Sequence, residues 1–238
     1  RPNDNPLILH VSRKEQAGNL WLEVPPEAEK LMDTFWPGPL TLIFRRAECV
    51  PDEVTAGLDT VAVRMPHNPT ALALIEKAGV PVAAPSANLS GKPSPTRAEH
   101  VLRDMEGKIP LILDGGPCRF GVESTVLSLT GIPTILRPGA VTKEMLGAVI
   151  GEVQLADCLL HPLKAGEKVL SPGMKYRHYA PKAQVYVVTG EPEKAARRIL
   201  ERYAAMEAQG KTVEIAGTEQ TMALYKAKGC RCSLMGDR

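Results

Sequence analysis

The chain has 238 residues, 44% of them hydrophobic and 24% charged, with a net charge of +2. That is the balance of a soluble globular protein with length for one large domain or two smaller ones. No apolar run approaches the ~20 residues of a membrane-spanning helix, and near-neutral charge argues against a protein whose main business is binding nucleic acid or a membrane surface.

Aromatic residues are only 4%, so burial rests on aliphatic side chains. Five cysteines, an odd number without a disulfide rhythm, point to a reducing compartment. Cys230 and Cys232 make a lone C-x-C with no second pair to complete a metal site.

Residues 6–11 (PLILHV) read as a strand, and 26–34 as a helix stopped by Trp36, Pro37, Gly38 and Pro39. Strands follow at 40–44 (LTLIF) and 60–64 (TVAVR). The next helix is well punctuated, with Asn68 as N-cap, Pro69 at the first helical position and Gly79 just past the end. Residues 82–84 form a short strand running into Pro85, Ser86, Ala87 and Asn88, and 89–95 (LSGKPSP) form a loop. Thr96 to Glu99 is a capping-box pattern opening a helix through about Met105. A strand is expected at 109–113, a hairpin from 124–129 and 134–136 around TGIP, and a helix at 141–150. Residues 153–182 carry little periodicity and read as a linker. Then strand 184–188, helix 191–208, strand 212–216, helix 220–228 and strand 232–235 give the β-α-β-α-β rhythm of a parallel, doubly wound sheet.

Small polar groups cluster where strands end, which is where α/β folds bind ligands. Ser86 and Asn88 lie two apart and face one way in extended backbone, placed to hold a phosphate or ribose; the same residues also make a common Ser/Asn turn. Arg64 and Arg137 end apolar strands next to Pro or one residue from it, and Arg1 also precedes Pro. A guanidinium there can fork a carboxylate or phosphate, or snorkel from the surface. Glu123, Ser124 and Thr125 open a strand after a Gly-containing loop, which β-propensity alone would explain. His10, His67, His100, His161 and His178 lack metal-ligand spacing, so no metal site is expected. No P-loop, G-x-G-x-x-G or G-x-S-x-G occurs, so any ATP is held by another scaffold. Lys175, Arg177 and His178, interleaved with Tyr176 and Tyr179, suit RNA contact, a tether folding over a site, or a solvated linker.

Taken together these stretches resemble the Sua5/YrdC/YwlC family, the L-threonylcarbamoyladenylate synthases. The matching segments are RPNDNPLILH (1–10), FWPGPLTL (35–42), VAVRMP (61–66), APSANLSG (84–91) with PSPT (93–96), ESTV (123–126) and LRPG (136–139), in the family's order. Residues 171–181 resemble the linker of the longer, Sua5-type members. The resemblance implies a YrdC-like twisted mixed α/β sheet over 1–152, a linker over 153–182, and a smaller Rossmann-like C-terminal domain over 183–238. Members also carry a K-x-R motif and an upstream strand–helix–strand unit. Against that pattern the chain is expected to be a window of a longer protein, incomplete at both ends.

The implied activity joins L-threonine, bicarbonate and ATP, with Mg²⁺ on the phosphates, into threonylcarbamoyl-AMP and pyrophosphate, for tRNA t6A modification in the cytoplasm. By position in the family's motifs, ATP falls to Arg1, Asn5, Thr60, Ser86, Ser94, Arg137 and the linker's Tyr176. Threonine falls to His10, Arg64, Ala84 and Ser124. Arg1, Ser86 and Asn88 are the residues expected nearest the chemistry. The product would pass to tRNA or to the transferase machinery, with no membrane partner. Two other readings compete: an RNA-binding or regulatory relative of the same fold, and a carbamoyl-transfer enzyme of the hydrogenase-maturation type. The latter should carry zinc-finger-like cysteine pairs, which this chain lacks.

Overall fold

A computed structural model describes residues 5–160 and 183–236. The chain divides into two compact units, Arg1–Ala180 and Pro181–Arg238.

The first unit runs β1 (Ile8–His10), α1 (Lys14–Gly18), α2 (Pro26–Phe35), β2 (Leu40–Arg45), α3 (Asp52–Thr55), β3 (Thr60–Arg64), α4 (Pro69–Ala78), β4 (Val82–Ala84), α5 (Ala98–Met105), β5 (Thr125–Ser128), β6 (Thr134–Arg137), α6 (Lys143–Ile150), β7 (Gln154–Leu155) and α7 (Asp157–Leu160). Local chemistry sets several of these boundaries. The Asn68 side chain accepts from Ala71 N–H, Pro69 opens α4, and Gly79 closes it at φ 71°, where a Cβ would be strained. The Thr142 hydroxyl accepts from Met145 N–H and starts α6.

The strands form one mixed seven-stranded sheet in the order β4-β1-β3-β2-β5-β6-β7. Pairs β1/β3, β2/β5 and β6/β7 are parallel. Pairs β1/β4, β2/β3 and β5/β6 are antiparallel. Alternation along the strands sorts the side chains onto two faces. Leu9, Leu42, Val63, Leu127 and Ile135 join Ala28, Leu31 and Leu146 of α2 and α6 in the main core. Ile8, Ile43, Ala62, Val126 and Leu136 make a smaller cluster on the opposite face. That second face carries the polar residues described below.

The second unit contains α8 (Pro192–Glu207), β8 (Ile215–Gly217), α9 (Glu219–Lys226) and β9 (Cys232–Leu234). Strands β8 and β9 pair in parallel around a core of Ala196, Tyr203, Ile215, Met222 and Tyr225. The Tyr203 hydroxyl accepts the Arg231 N–H at 3.0 Å. No helix among the described residues is long and apolar enough to cross a membrane.

Four local expectations differ from the structure. Residues 109–113 are not assigned to a strand. Pro110 removes a ladder donor, and Ile109, Leu111 and Leu113 stand exposed. Residues 184–188 likewise form no strand; there the Arg202 guanidinium sits 3.5 Å from the Tyr186 ring centre. The capping box at Thr96 does not close. Arg97 is the N-cap of α5, and Thr96 N–H instead meets His100 Nδ1 at 3.3 Å. Finally, the sheet reaches into the stretch read as linker, because Gln154 and Leu155 pair with β6.

Candidate functional site

The polar face of the sheet is built by register. His10 and Arg64 are paired partners at the C-terminal ends of parallel strands β1 and β3. Arg137 pairs with Val126 across a register shift that leaves Leu136 as an extra residue and breaks the alternation there, and Val126 pairs with Thr41. Ser124 lies two residues before Val126, so His10, Arg64, Thr41, Ser124 and Arg137 share one face at one end of the sheet. Above them opens a cavity of about 960 Å³, walled by the 84–96 and 116–124 segments.

Each side chain at the cavity floor is held by an identifiable partner. Arg64 Nε donates to Gly38 O at 2.9 Å. Gly38 is required there, since a Cβ would lie 2.1 Å from Phe35 O. Arg137 Nε and Nη2 donate to Ser124 O and Ser124 Oγ, each at 3.0 Å. Ser124 Oγ also shares a 2.8 Å hydrogen bond with Thr41 Oγ1, a group fully out of solvent. Ser94 Oγ donates to Glu123 Oε1 at 2.5 Å.

Burial dominates the electrostatics. It lowers the Arg64 pKa. It also lowers that of Arg137 to about 10, with Arg64 repelling and Glu123 partly compensating. Both guanidiniums stay protonated at neutral pH and face one another's field. Such a pair attracts anions into a low-dielectric site. His10 is pushed the other way from an imidazolium: burial, then the Arg64 charge, lower its pKa from 6.5 to about 4. Its Nδ1 lies 3.3 Å from Val82 O. A carbonyl can only accept, so Nδ1 carries the proton and Nε2 presents a lone pair.

The 86–92 segment is fixed from beneath. Asn88 Nδ2 donates to Leu89 O at 2.8 Å and Lys92 O at 2.9 Å. The buried Asp104 carboxylate accepts Leu89 N–H at 3.2 Å and Lys92 Nζ at 2.5 Å. Lys92, more than the other contacts, holds the Asp104 pKa below the usual carboxylate range.

Residues 1–139 match the family model Sua5/YciO/YrdC, described as "Telomere recombination". Residues 141–235 match the "Threonylcarbamoyl-AMP synthase, C-terminal domain" model. The chain belongs to the Sua5/YciO/YrdC family. It is 52% identical over 222 residues to a threonylcarbamoyl-AMP synthase of Pyrococcus abyssi, covering 92% of this chain and 64% of that protein. To the threonylcarbamoyl-AMP synthase of Bacillus subtilis it is 50% identical over 232 residues, covering 95% of this chain and 64% of that one. The chain therefore spans just under two thirds of each relative's length. The crystal structure of P. abyssi Sua5 complexed with L-threonine superposes at a TM-score of 0.88 with 49% identity, over 100% of this chain and 68% of that one.

Of the residues that the Sua5/YciO/YrdC motifs single out, Asn5, His10, Arg64, Ala84, Ser86, Asn88, Ser94, Ser124 and Arg137 all line the one cavity. Asn5 Oδ1 is buried and accepts no hydrogen bond from the described residues. Thr60 begins β3 where Arg64 ends it, and lines a roughly water-sized recess that shares Pro6 and Leu7 with the larger cavity. Arg1 and Tyr176 lie outside the described residues. Sequence reasoning missed Thr41, Lys92 and Asp104, none of which stands in a motif that spacing alone singles out. Glu123 opens the ESTV segment with no role assigned to it there, and its carboxylate ties Ser94 to the Arg137 side of the cavity.

Proposed function

We propose that this protein is an L-threonylcarbamoyl-AMP synthase using L-threonine, bicarbonate and MgATP, the catalytic work falling to residues 1–152. The observation that carries the reading is the convergence of two half-buried arginines, Arg64 and Arg137, with His10 on one cavity floor, where burial and the Arg64 charge disfavour the imidazolium. The substrates bring a carboxylate, a triphosphate and an amine that must be uncharged to react. Arg64, held by Gly38, forks the threonine carboxylate. His10 Nε2 and Ser124 complete the amino-acid pocket beside Ala84. Arg137, Ser86, Ser94, Asn5 and Arg1 take the nucleotide, with Thr60 and Tyr176 assigned to it by motif. Asn88 acts by holding the loop that presents Ser86.

In the reaction, the threonine amine adds to CO₂ derived from bicarbonate. A C–N bond forms, a proton leaves, and a carbamate results. A carbamate oxygen then attacks the α-phosphorus of ATP. The new P–O bond forms as the bond to the bridging oxygen breaks, and pyrophosphate departs with that electron pair. No protein nucleophile is involved. The protein supplies positioning and fixed positive charge where negative charge gathers on the equatorial oxygens. The product serves tRNA t6A modification in the cytoplasm. On this reading the residues after α7 link the catalytic region to the 183–238 domain.

The test is to incubate purified protein with L-threonine, bicarbonate and α-labelled ATP and to look for a threonylcarbamoyl-AMP adduct with stoichiometric pyrophosphate. Adduct that depends on all three substrates is expected. Its absence, or its formation without threonine, would overturn the reading.

A further inference from the structure

We propose that Phe120, presented with Arg119 on the 115–123 loop, is the platform on which the adenine ring of ATP stacks. It thereby sets nucleotide affinity without touching the reacting atoms. The inference rests on ATP being the nucleotide of the cavity, as argued above.

Phe120 stands out by its exposure. Aromatics are scarce in this chain, and of its three phenylalanines Phe44 is buried and Phe35 packs against the core. Phe120 is instead 41% exposed and lines the cavity, with Val122 beside it. Leaving an aromatic ring in water forfeits a large burial energy, so a ring so placed invites a partner.

The loop that carries it is anchored rather than loose. Asn68 Nδ2 donates to Gly115 O at 2.9 Å, and Gly116 N–H to Asp114 Oδ1 at 2.8 Å. Cys118 N–H donates to Thr96 O at 2.9 Å. At the far end Ser94 Oγ holds Glu123. The approach of the loop to α4 is close enough that a Cβ on Gly115 would lie 2.8 Å from the Asn68 side chain. Between these anchors the ring is offered in a fixed setting, which lowers the entropy lost on binding.

The chemistry of the cavity divides to match a nucleotide. Its floor holds Arg64 and Arg137, suited to carboxylate and phosphate. The 115–123 wall offers a π-face, and the Arg119 guanidinium lies 5.6 Å from the ring centre of Phe120. A base stacks on such a face and gains further from a nearby guanidinium. A triphosphate alone has no use for a π-face.

Phe120→Ala is expected to raise the KM for ATP roughly 5- to 100-fold, the range of one base–aromatic stack, with kcat and the KM for threonine unchanged. Phe120→Trp should hold the wild-type value. Inhibition by inorganic tripolyphosphate, which has the phosphates and no base, should be the same in wild type and Phe120→Ala. An unchanged KM for ATP would overturn the platform, and so would parallel losses of ATP and tripolyphosphate affinity, which would make the loop a structural element only. Equilibrium ATP binding separates this inference from the function it rests on. Phe120-dependent binding without adduct formation overturns the synthase and leaves the platform. Adduct formation with an unaltered KM in Phe120→Ala does the reverse.

Discussion

Arg137 grips Ser124 twice, through Nε to the carbonyl oxygen and through Nη2 to the hydroxyl. The guanidinium is thereby fixed in plane. Thr41 beneath completes the hydroxyl's partners. Ser124→Ala removes the hydroxyl and leaves the Arg137 and Thr41 groups short of a partner. A stability loss of about 1–2 kcal/mol is expected in urea titration. The larger effect should be kinetic, with kcat/KM for ATP falling about tenfold as Arg137 gains freedom. A variant with full stability loss and unaltered kcat/KM would show that the clamp serves folding alone.

His10 gives a pH signature with a definite sign. Its pKa is about 4 in the folded protein against 6.5 as the ordinary value. Between those limits the unfolded chain binds the proton and the folded one does not, so stability rises with pH across the window and falls on acidification. The His10 contribution should drop by roughly 2–3 kcal/mol between pH 7 and pH 4.5. Denaturant unfolding of wild type and His10→Gln at the two pH values checks this. The variant should lose that part of the acid sensitivity. Activity should show no His10 titration between pH 6 and 8.

The legibility of the fold follows from where each signal resides. Helix α4 can be read to the residue because Asn68, Pro69 and Gly79 act through their own backbone and neighbours. The strands carrying His10, Arg64 and Arg137 are likewise announced by short apolar runs that end in a polar residue. The sheet order is another matter. That β2 lies between β3 and β5, bringing Thr41 under Ser124, depends on long-range pairing. Segments 109–113 and 184–188 have strand composition, yet composition does not supply a neighbouring strand. Asp104 is hidden for the same reason, because a charged residue on an amphipathic helix reads as solvent-facing until the 88–92 loop is seen to fold onto it. At the site, strand ends flagged Arg64 and Arg137. The identity of their anchors, Gly38 O and Ser124, is tertiary.

Gly139 tests the closeness of two backbones. A Cβ there would lie 2.4 Å from Glu123 O and 2.5 Å from Thr125 N, both main-chain atoms that cannot swing aside. Gly139→Ala is expected to force the 138–139 turn away from the start of β5, costing roughly 2–4 kcal/mol. Activity should fall with it, since Arg137 and Ser124 flank the contact. Gly131→Ala is the control: a Cβ there meets nothing within 4 Å, and thermal melting should be nearly unchanged.

Asp104 links helix α5 to the loop that carries Ser86 and Asn88. One carboxylate oxygen takes Leu89 N–H and the other takes Lys92 Nζ, while Asn88 closes the same turn from within. Asp104→Asn keeps the shape and removes the charge. The amide can still accept from one partner, but its NH₂ faces the second donor, so one end of the pin opens. The loop should then sample more conformations, with faster proteolysis or hydrogen exchange confined to residues 86–95 and the global unfolding transition little changed. Ser86 and Ser94 lie in that stretch and Arg64 does not. The KM for ATP is therefore expected to rise while that for threonine holds. Acidification should mimic the substitution. The carboxylate's pKa lies below its ordinary 3.8, so the pin is intact above that value and is lost only as pH falls through the lowered one. An Asp104→Asn protein whose two KM values rose together would mean that the pin supports the whole cavity rather than the nucleotide side of it.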